Sequence, residues 1–194
     1  MTNALARALS IVGHPMLVLP LAVLALTRTR GNGGDVWWLG LGFGLFAVTV
    51  MGYSWWQVRR GRWGHVDASA KHERGSLNRF LLIALATASL LAVILFPQND
   101  LALGLGLSAG LIVIAMLTSR WCKLSLHMAF AVFAALLLSR LGWEYGVAGI
   151  IFAAAVAWSR LALQRHTRGD LLAGTAAGAL AGLAFWLTAA QSGG

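Results

Sequence analysis

Apolar residues in this chain come in long unbroken runs. Seven stand out, at 8–27, 36–56, 79–96, 101–118, 124–141, 145–163 and 171–190. A helix that crosses bilayer hydrocarbon needs about 20 mostly apolar residues, and each run meets or approaches that length. None shows the period-two alternation of a barrel strand. The pattern predicts an all-α fold, a polytopic transmembrane helical bundle of seven spans, with 1–194 as a single integral membrane domain. The third and fourth runs lie near the lower length limit, and only Pro97, Gln98, Asn99 and Asp100 separate them. So short a polar connector predicts a tight turn and an antiparallel hairpin. A six-span alternative would make one of those two runs a buried or re-entrant helix.

Details within the runs refine the prediction. Gly174, Gly178 and Gly182 recur every fourth residue, a spacing that lets helix backbones approach closely. Packing within the chain is the expected use, ahead of a homodimer interface. Gly40, Gly42 and Gly44 alternate with bulky residues and make no comparable face. His14-Pro15 in the first run predicts a kink with a neutral histidine packed nearby. That run is too long for a signal-peptide core and is followed by Arg28 and Arg30, so it is expected to be a retained span.

Composition supports the membrane class. Of 194 residues, 59% are hydrophobic and 11% charged, with a mean hydropathy of +0.75, whereas a soluble domain carries about a quarter charged residues. The net charge is +9, from 15 Lys+Arg against 6 Asp+Glu. Those cations sit in the gaps between apolar runs, as topology and anionic head groups require, so no nucleic-acid partner is expected. With Cys122 as the single cysteine, no intramolecular disulfide can form.

Seven spans put the N-terminus and the loops 57–78, 119–123 and 164–170 on one side. That side carries Arg7, Arg59, Arg60, Arg62, Lys71, Arg74, Arg79, Arg120, Lys123, Arg160, Arg165 and Arg168; the other carries Arg28, Arg30 and Arg140. Positive charge marks the cytoplasmic side, which predicts an N-terminus inside and a C-terminus outside. Setting aside Lys71, Arg74, Arg79, Lys123 and Arg160 as candidate phosphate ligands still leaves seven against three.

Three segments of the cationic side carry candidate chemistry. In the first, Ser159 to Asp170, Arg160 ends a span and can offer a planar fork of donors to phosphate. His166 and Asp170 are four apart and share a helix face if the last helix begins near His166. A carboxylate beside an imidazole fixes its tautomer and leaves the other nitrogen free to act. The alternative is that Arg160, Arg165 and Arg168 are topogenic charges and Asp170 a helix N-cap. The second segment, Lys123-Leu124-Ser125-Leu126-His127, places a histidine at a helix N-terminus, where the dipole favours an anion. Its alternative is a neutral interhelical histidine, although ionisable residues inside spans are functional by default. The third is the charged loop from Asp67 to Arg79, which by itself reads as a solvated connector.

Taken together and in order, these segments resemble the type 2 phosphatidic acid phosphatase family, which is similar in site chemistry to vanadium haloperoxidases and bacterial acid phosphatases. The family's third motif, S-R-x-x-x-x-x-H-x-x-x-D, is matched by Ser159, Arg160, His166 and Asp170. The second, P-S-G-H, stands here as Leu124-Ser125-Leu126-His127 and keeps only the Ser and His. The first, K-x-x-x-x-x-x-R-P, is not matched: Lys71 to Arg79 is one residue too long and lacks the Pro. The Lys71/Arg74 pairing, with Glu73 beside Arg74, resembles a divergent branch. The resemblance covers about 67–178, with a phosphatase-like core expected over 67–190.

The resemblance implies a membrane-embedded lipid phosphate or lipid diphosphate phosphatase. His166 would be the nucleophile, Asp170 would orient it, and His127 would protonate the leaving group and then activate water. Arg160, Ser125, Lys71, Arg74, Arg79 and Lys123 would bind phosphate. No cofactor and no metal are implied. The substrate would be a phosphorylated lipid such as phosphatidic acid, phosphatidylglycerophosphate or a polyprenyl diphosphate. The expected location is the bacterial cell membrane, with the site on the cytoplasmic face. The main rival is a catalytically inactive relative that binds lipid phosphates. A membrane phosphotransferase would need paired Asp motifs for magnesium, and a transporter would need mid-span charges or matching broken repeats. The sequence has neither.

Overall fold

The computed structural model describes residues 2–29, 33–66, 68, 70–95 and 100–191. These form eight helices and no strand: α1 Thr2–Val12, α2 Pro15–Thr29, α3 Gly33–Arg59, α4 Lys71–Leu95, α5 Leu101–Thr118, α6 Leu126–Leu138, α7 Trp143–Ala162 and α8 Arg168–Gln191. Five are long and apolar enough to cross a membrane: Val36–Arg59, Lys71–Leu95, Leu101–Thr118, Trp143–Ala162 and Arg168–Thr188. The chain is a helical membrane protein.

Three of the seven expected spans take a different form. The first is broken, since α1 and α2 meet at 52°. Pro15 has no N–H to continue the ladder, and the residue before a proline is driven out of helical conformation. His14 caps the new helix instead: the Met16 N–H donates to its Nδ1 at 3.2 Å. The third span starts at Lys71, not near residue 79, because the charged segment ahead of the apolar run is itself helical. Glu73 holds that start by accepting the Ala70 N–H (2.8 Å) and the Gly64 N–H (2.6 Å), reaching back from the third position as in a capping box. The fifth expected span is a 13-residue helix, α6, about 20 Å long at 1.5 Å per residue.

That short helix is the centre of the bundle. Met128 to Ala135 and Leu137 are all buried, and Phe133 is fully so. With protein around it, α6 has no need to match the lipid thickness. Glycines let its neighbours close in. A side chain at Gly174 would meet Ser125 and Met128, one at Gly178 the Ala129 backbone, and one at Gly182 Leu136. On the other side, Gly149 and Gly146 of α7 lie against Ala135 and Ser139. The α8 glycine face is thus an intramolecular contact. Lipid tails are as apolar as leucine, so this fit, and not hydrophobic expulsion, holds membrane helices together.

Helices α4 and α5 form the expected hairpin, with the Ser89 hydroxyl donating to the Ala102 carbonyl at 2.7 Å; residues 96–99 of the turn lie outside the described residues. Two aromatic rims bound the bundle. Trp55, Trp56, Trp121 and Trp158 are exposed at one end, where Arg59, Arg60 and Arg120 stack on the first three. Trp37, Trp38, Trp143 and Trp186 are exposed at the other.

Candidate functional site

Four chain segments meet at the cationic end: the α1–α2 break, the α3–α4 loop, the α5–α6 loop and the α7–α8 turn. They close over the mouth of a cavity of about 1590 Å³. Its polar end is lined by His14, Lys71, Arg74, Arg79, Lys123, His127, Arg160, Arg165 and His166. Below them the walls turn apolar, with Phe43 and Phe46 from α3, Leu81 and Leu85 from α4, Leu105 and Ile112 from α5 and Phe130 from α6.

The α7–α8 turn positions His166. Helix α7 ends with Arg165 N–H donating to the Arg160 carbonyl (3.0 Å) and Gln164 N–H to the Leu161 carbonyl (2.9 Å). This Schellman closure requires a left-handed residue, and Gln164 takes that place at φ 52° where glycine is usual. Helix α8 then starts with a reciprocal cap: Thr167 N–H donates to Asp170 Oδ2 (2.9 Å) and Asp170 N–H to Thr167 Oγ1 (3.2 Å). His166 is pinned between the two caps.

Asp170 reaches His166 less directly than the motif implies. Its Oδ2 is 3.7 Å from His166 Nδ1, beyond good hydrogen-bond length. The closer partner of Nδ1 is the Lys123 carbonyl at 3.2 Å. A carbonyl only accepts, so Nδ1 carries the proton and Nε2 keeps its lone pair. The Lys123 N–H in turn donates to Asp170 Oδ1 at 3.0 Å, and the Cys122 thiol donates to the same oxygen at 3.4 Å. Asp170 is therefore a positioning group that holds the Lys123 backbone, and that backbone sets the ring. Burial first, then the Arg160 and Lys123 cations, lower the His166 pKa to about 4 against the opposing pull of Asp170. Partial burial and Arg74 likewise hold the Lys123 ammonium below its usual range.

Ser125 lies off the cavity wall. It is fully buried and caps α6, with Met128 N–H donating to its hydroxyl (3.4 Å) and its own N–H donating to the Asp170 carbonyl (3.1 Å). It anchors the start of α6 to the start of α8, which a phosphate ligand could not do from the surface. In the first turn of α6, His127 faces the cavity. Arg160 is held by its Nη1 donating to Ser10 Oγ at 2.6 Å, and its Nε is buried without a hydrogen-bond partner. Lys71 and Arg79 are exposed and Arg74 half-buried, all three on the cavity. The structure thus brings together eight of the nine candidate residues around one mouth, seven on its wall and Asp170 behind it. Ser125 is the exception.

Residues absent from the candidate set also matter. Glu73 is 3% exposed and staples the cationic loop to α4. Ser10 and His14 lie at the break, far from any motif. The available sequence signal was an ionisable side chain inside an apolar run, directly before a proline. Among the described residues, no three His, Cys, Asp or Glu side chains are grouped to hold a metal ion. Comparison with family models, curated proteins and solved structures finds no match.

Proposed function

We propose that the protein is a membrane phosphatase acting on a lipid phosphate or lipid diphosphate through a phosphohistidine intermediate. The observation that carries this reading is the cavity itself, cationic and imidazole-lined at one end and apolar for the rest of its length. A lipid phosphate has the same division, with charge at the interface and a chain in hydrocarbon. In this mechanism the Nε2 lone pair of His166 attacks phosphorus while the bond to the leaving oxygen breaks, and His127 supplies that oxygen with its proton. Water, deprotonated by His127, then attacks the phosphohistidine and releases inorganic phosphate and His166. Arg160, Lys71, Arg74 and Lys123 offset the charge on the non-bridging oxygens, where much of the stabilisation in phosphoryl transfer lies.

The test is phosphate release by purified protein in detergent, in chelator, from phosphatidic acid, phosphatidylglycerophosphate and a polyprenyl diphosphate. Release from at least one, inhibited by vanadate as a mimic of five-coordinate phosphorus, is expected. Binding of these lipids with no release would make the protein a lipid-phosphate binder instead.

The apolar part of the cavity provides a second measurement. Gly42 lies on its wall, and a Cβ added there would meet nothing within 4 Å. Gly42→Trp should therefore fold and fill the path of a tail. The ratio of kcat/KM for long-chain over short-chain lipid phosphates should drop by about tenfold, each excluded methylene being worth about 0.8 kcal/mol. An unchanged ratio would place the tail outside the bundle.

We further infer a cytoplasmic site in a bacterial cell membrane, from the cation excess at the site end. Since α8 starts at that end and runs away from it, a reporter fused after Gly194 should be active only outside the cell. Activity inside would invert the site.

A further inference from the structure

We propose that His14 is a phosphate-contacting residue: at the α1–α2 break it joins His127 and Arg160 in one anion-binding corner, donating to a phosphate oxygen through its Nε2–H. This inference deepens the reading of the cavity as a lipid phosphate site and rests on it.

The break brings these groups together. The last turn of α1 lies along α7, where Gly13 packs against Val156 and Ser10 takes the Arg160 guanidinium. One residue beyond Gly13, the His14 ring meets the His127 ring edge to face, with centroids 5.1 Å apart and planes at 89°. His14 is exposed, and the surface it exposes belongs to the cavity. A bent first span therefore supplies one wall of the polar end.

The hydrogen bonds at the break say which atom is left for a ligand. Pro15 has no N–H. The Met16 N–H is taken by His14 Nδ1, and the Leu17 and Val18 N–H groups by the His14 carbonyl, at 2.8 and 3.0 Å. The first turn of α2 thus has no spare amide for an anion. An Nδ1 that accepts from Met16 is unprotonated, so the proton of the neutral ring sits on Nε2. A cap alone does not call for histidine, because Asn, Asp or Ser caps better. Arg160 adds an independent sign of a ligand: it is fixed by Ser10, yet its buried Nε has no partner. The guanidinium is held in place without being saturated by protein acceptors. A phosphate oxygen in this corner would meet one fixed guanidinium and one N–H of defined tautomer.

Two variants separate the cap from the contact. His14→Asn keeps an acceptor at the Nδ1 position and loses the Nε2 donor. His14→Gln places an amide N–H close to where Nε2 stood. Orthovanadate and inorganic phosphate binding to the purified full chain in detergent is measured by titration, which needs no turnover, and thermal unfolding is followed in parallel. His14→Asn should melt with the wild type and bind at least about tenfold more weakly, the usual loss for a hydrogen bond to a charged group. His14→Gln should recover to within about threefold of wild type, a donor having been restored. His14→Phe, which keeps a ring against His127 without a donor, should bind as weakly as His14→Asn whatever its stability. Wild-type binding in His14→Asn or His14→Phe overturns the proposal, as does wild-type protein that binds neither anion. Binding that depends on His14 in a protein that hydrolyses no lipid phosphate would support the proposal and refute the phosphatase reading.

Discussion

Replacing His166 by alanine should abolish phosphate release, by on the order of a million-fold, the scale of losing a nucleophile. The position is prepared for that role. The Schellman turn behind it and the Thr167–Asp170 cap ahead of it leave the ring little freedom. Its Nδ1 proton points at the Lys123 carbonyl, so the reactive lone pair is on Nε2. Its pKa of about 4, against an ordinary 6.5, keeps the ring neutral at every pH where the protein is expected to work. Nucleophile competence should therefore be lost only as pH falls through about 4. The linkage runs the same way for stability. Between about 6.5 and 4 the unfolded chain binds the proton that the folded chain refuses, so His166's contribution is complete above that window and shrinks on acidification through it. Rapid-quench labelling with a phosphate-labelled lipid provides the check. Wild type should pass through an acid-labile phosphoenzyme, His166→Ala should form none, and His127→Ala should both form it and hydrolyse it slowly, because the first step lacks its acid and the second its base. Phosphoenzyme in His166→Ala would remove the residue from the role assigned to it.

The largest structural effect is expected at Gly178. A side chain there would run into the Ala129 backbone, and backbone at the centre of a bundle has no room to yield. Gly178→Ala should cost about 1–3 kcal/mol, the range for overpacking a close contact. Gly178→Leu should give no monodisperse folded protein in detergent. Loss of activity would accompany it, since α6 and α8 are joined at the site by the bond from Ser125 N–H to the Asp170 carbonyl. Gly42→Leu is the control, because open space surrounds Gly42 and its melting temperature should match wild type. Size-exclusion profiles and thermal unfolding distinguish the two. A well-folded Gly178→Leu would mean that the two helices are not in contact along this face.

Much of the fold could be read from local pattern. Long apolar runs and scarce charge specify membrane helices wherever they occur, because lipid offers backbone groups no partners and only a helix satisfies them within its own segment. The same logic exposed the hairpin of α4 and α5, the glycine face of α8 and the kink at Pro15. Helix length was harder to read. Residues 124–141 are apolar throughout, yet α6 covers only Leu126–Leu138, because a helix enclosed by protein is released from the lipid thickness that sets the length of the others. The start of α4 moved the other way, since Lys71 to Asn78 is polar and its helicity depends on Glu73 capping from within.

The candidate site divides along the same line. His166, Asp170, Arg160 and His127 stand at spacings that local geometry can use, so their chemistry was visible in the chain itself. Their working relations were not. Asp170 lies four residues from His166, but what it holds is the thiol of Cys122 and the backbone N–H of Lys123, 48 and 47 positions away in the chain. Ser125 carries a motif hydroxyl and spends it on capping α6. Ser10 and His14 carry no motif, yet they reach Arg160 and His127 across 150 and 113 positions of chain. A sequence determines which groups can ionise, cap or bend a helix, because those properties belong to one residue and its near neighbours. Which of them share a cavity depends on how helices distant in the chain pack, and in this protein the packing of α2, α7 and α8 around α6, with α1 laid against α7, decided it.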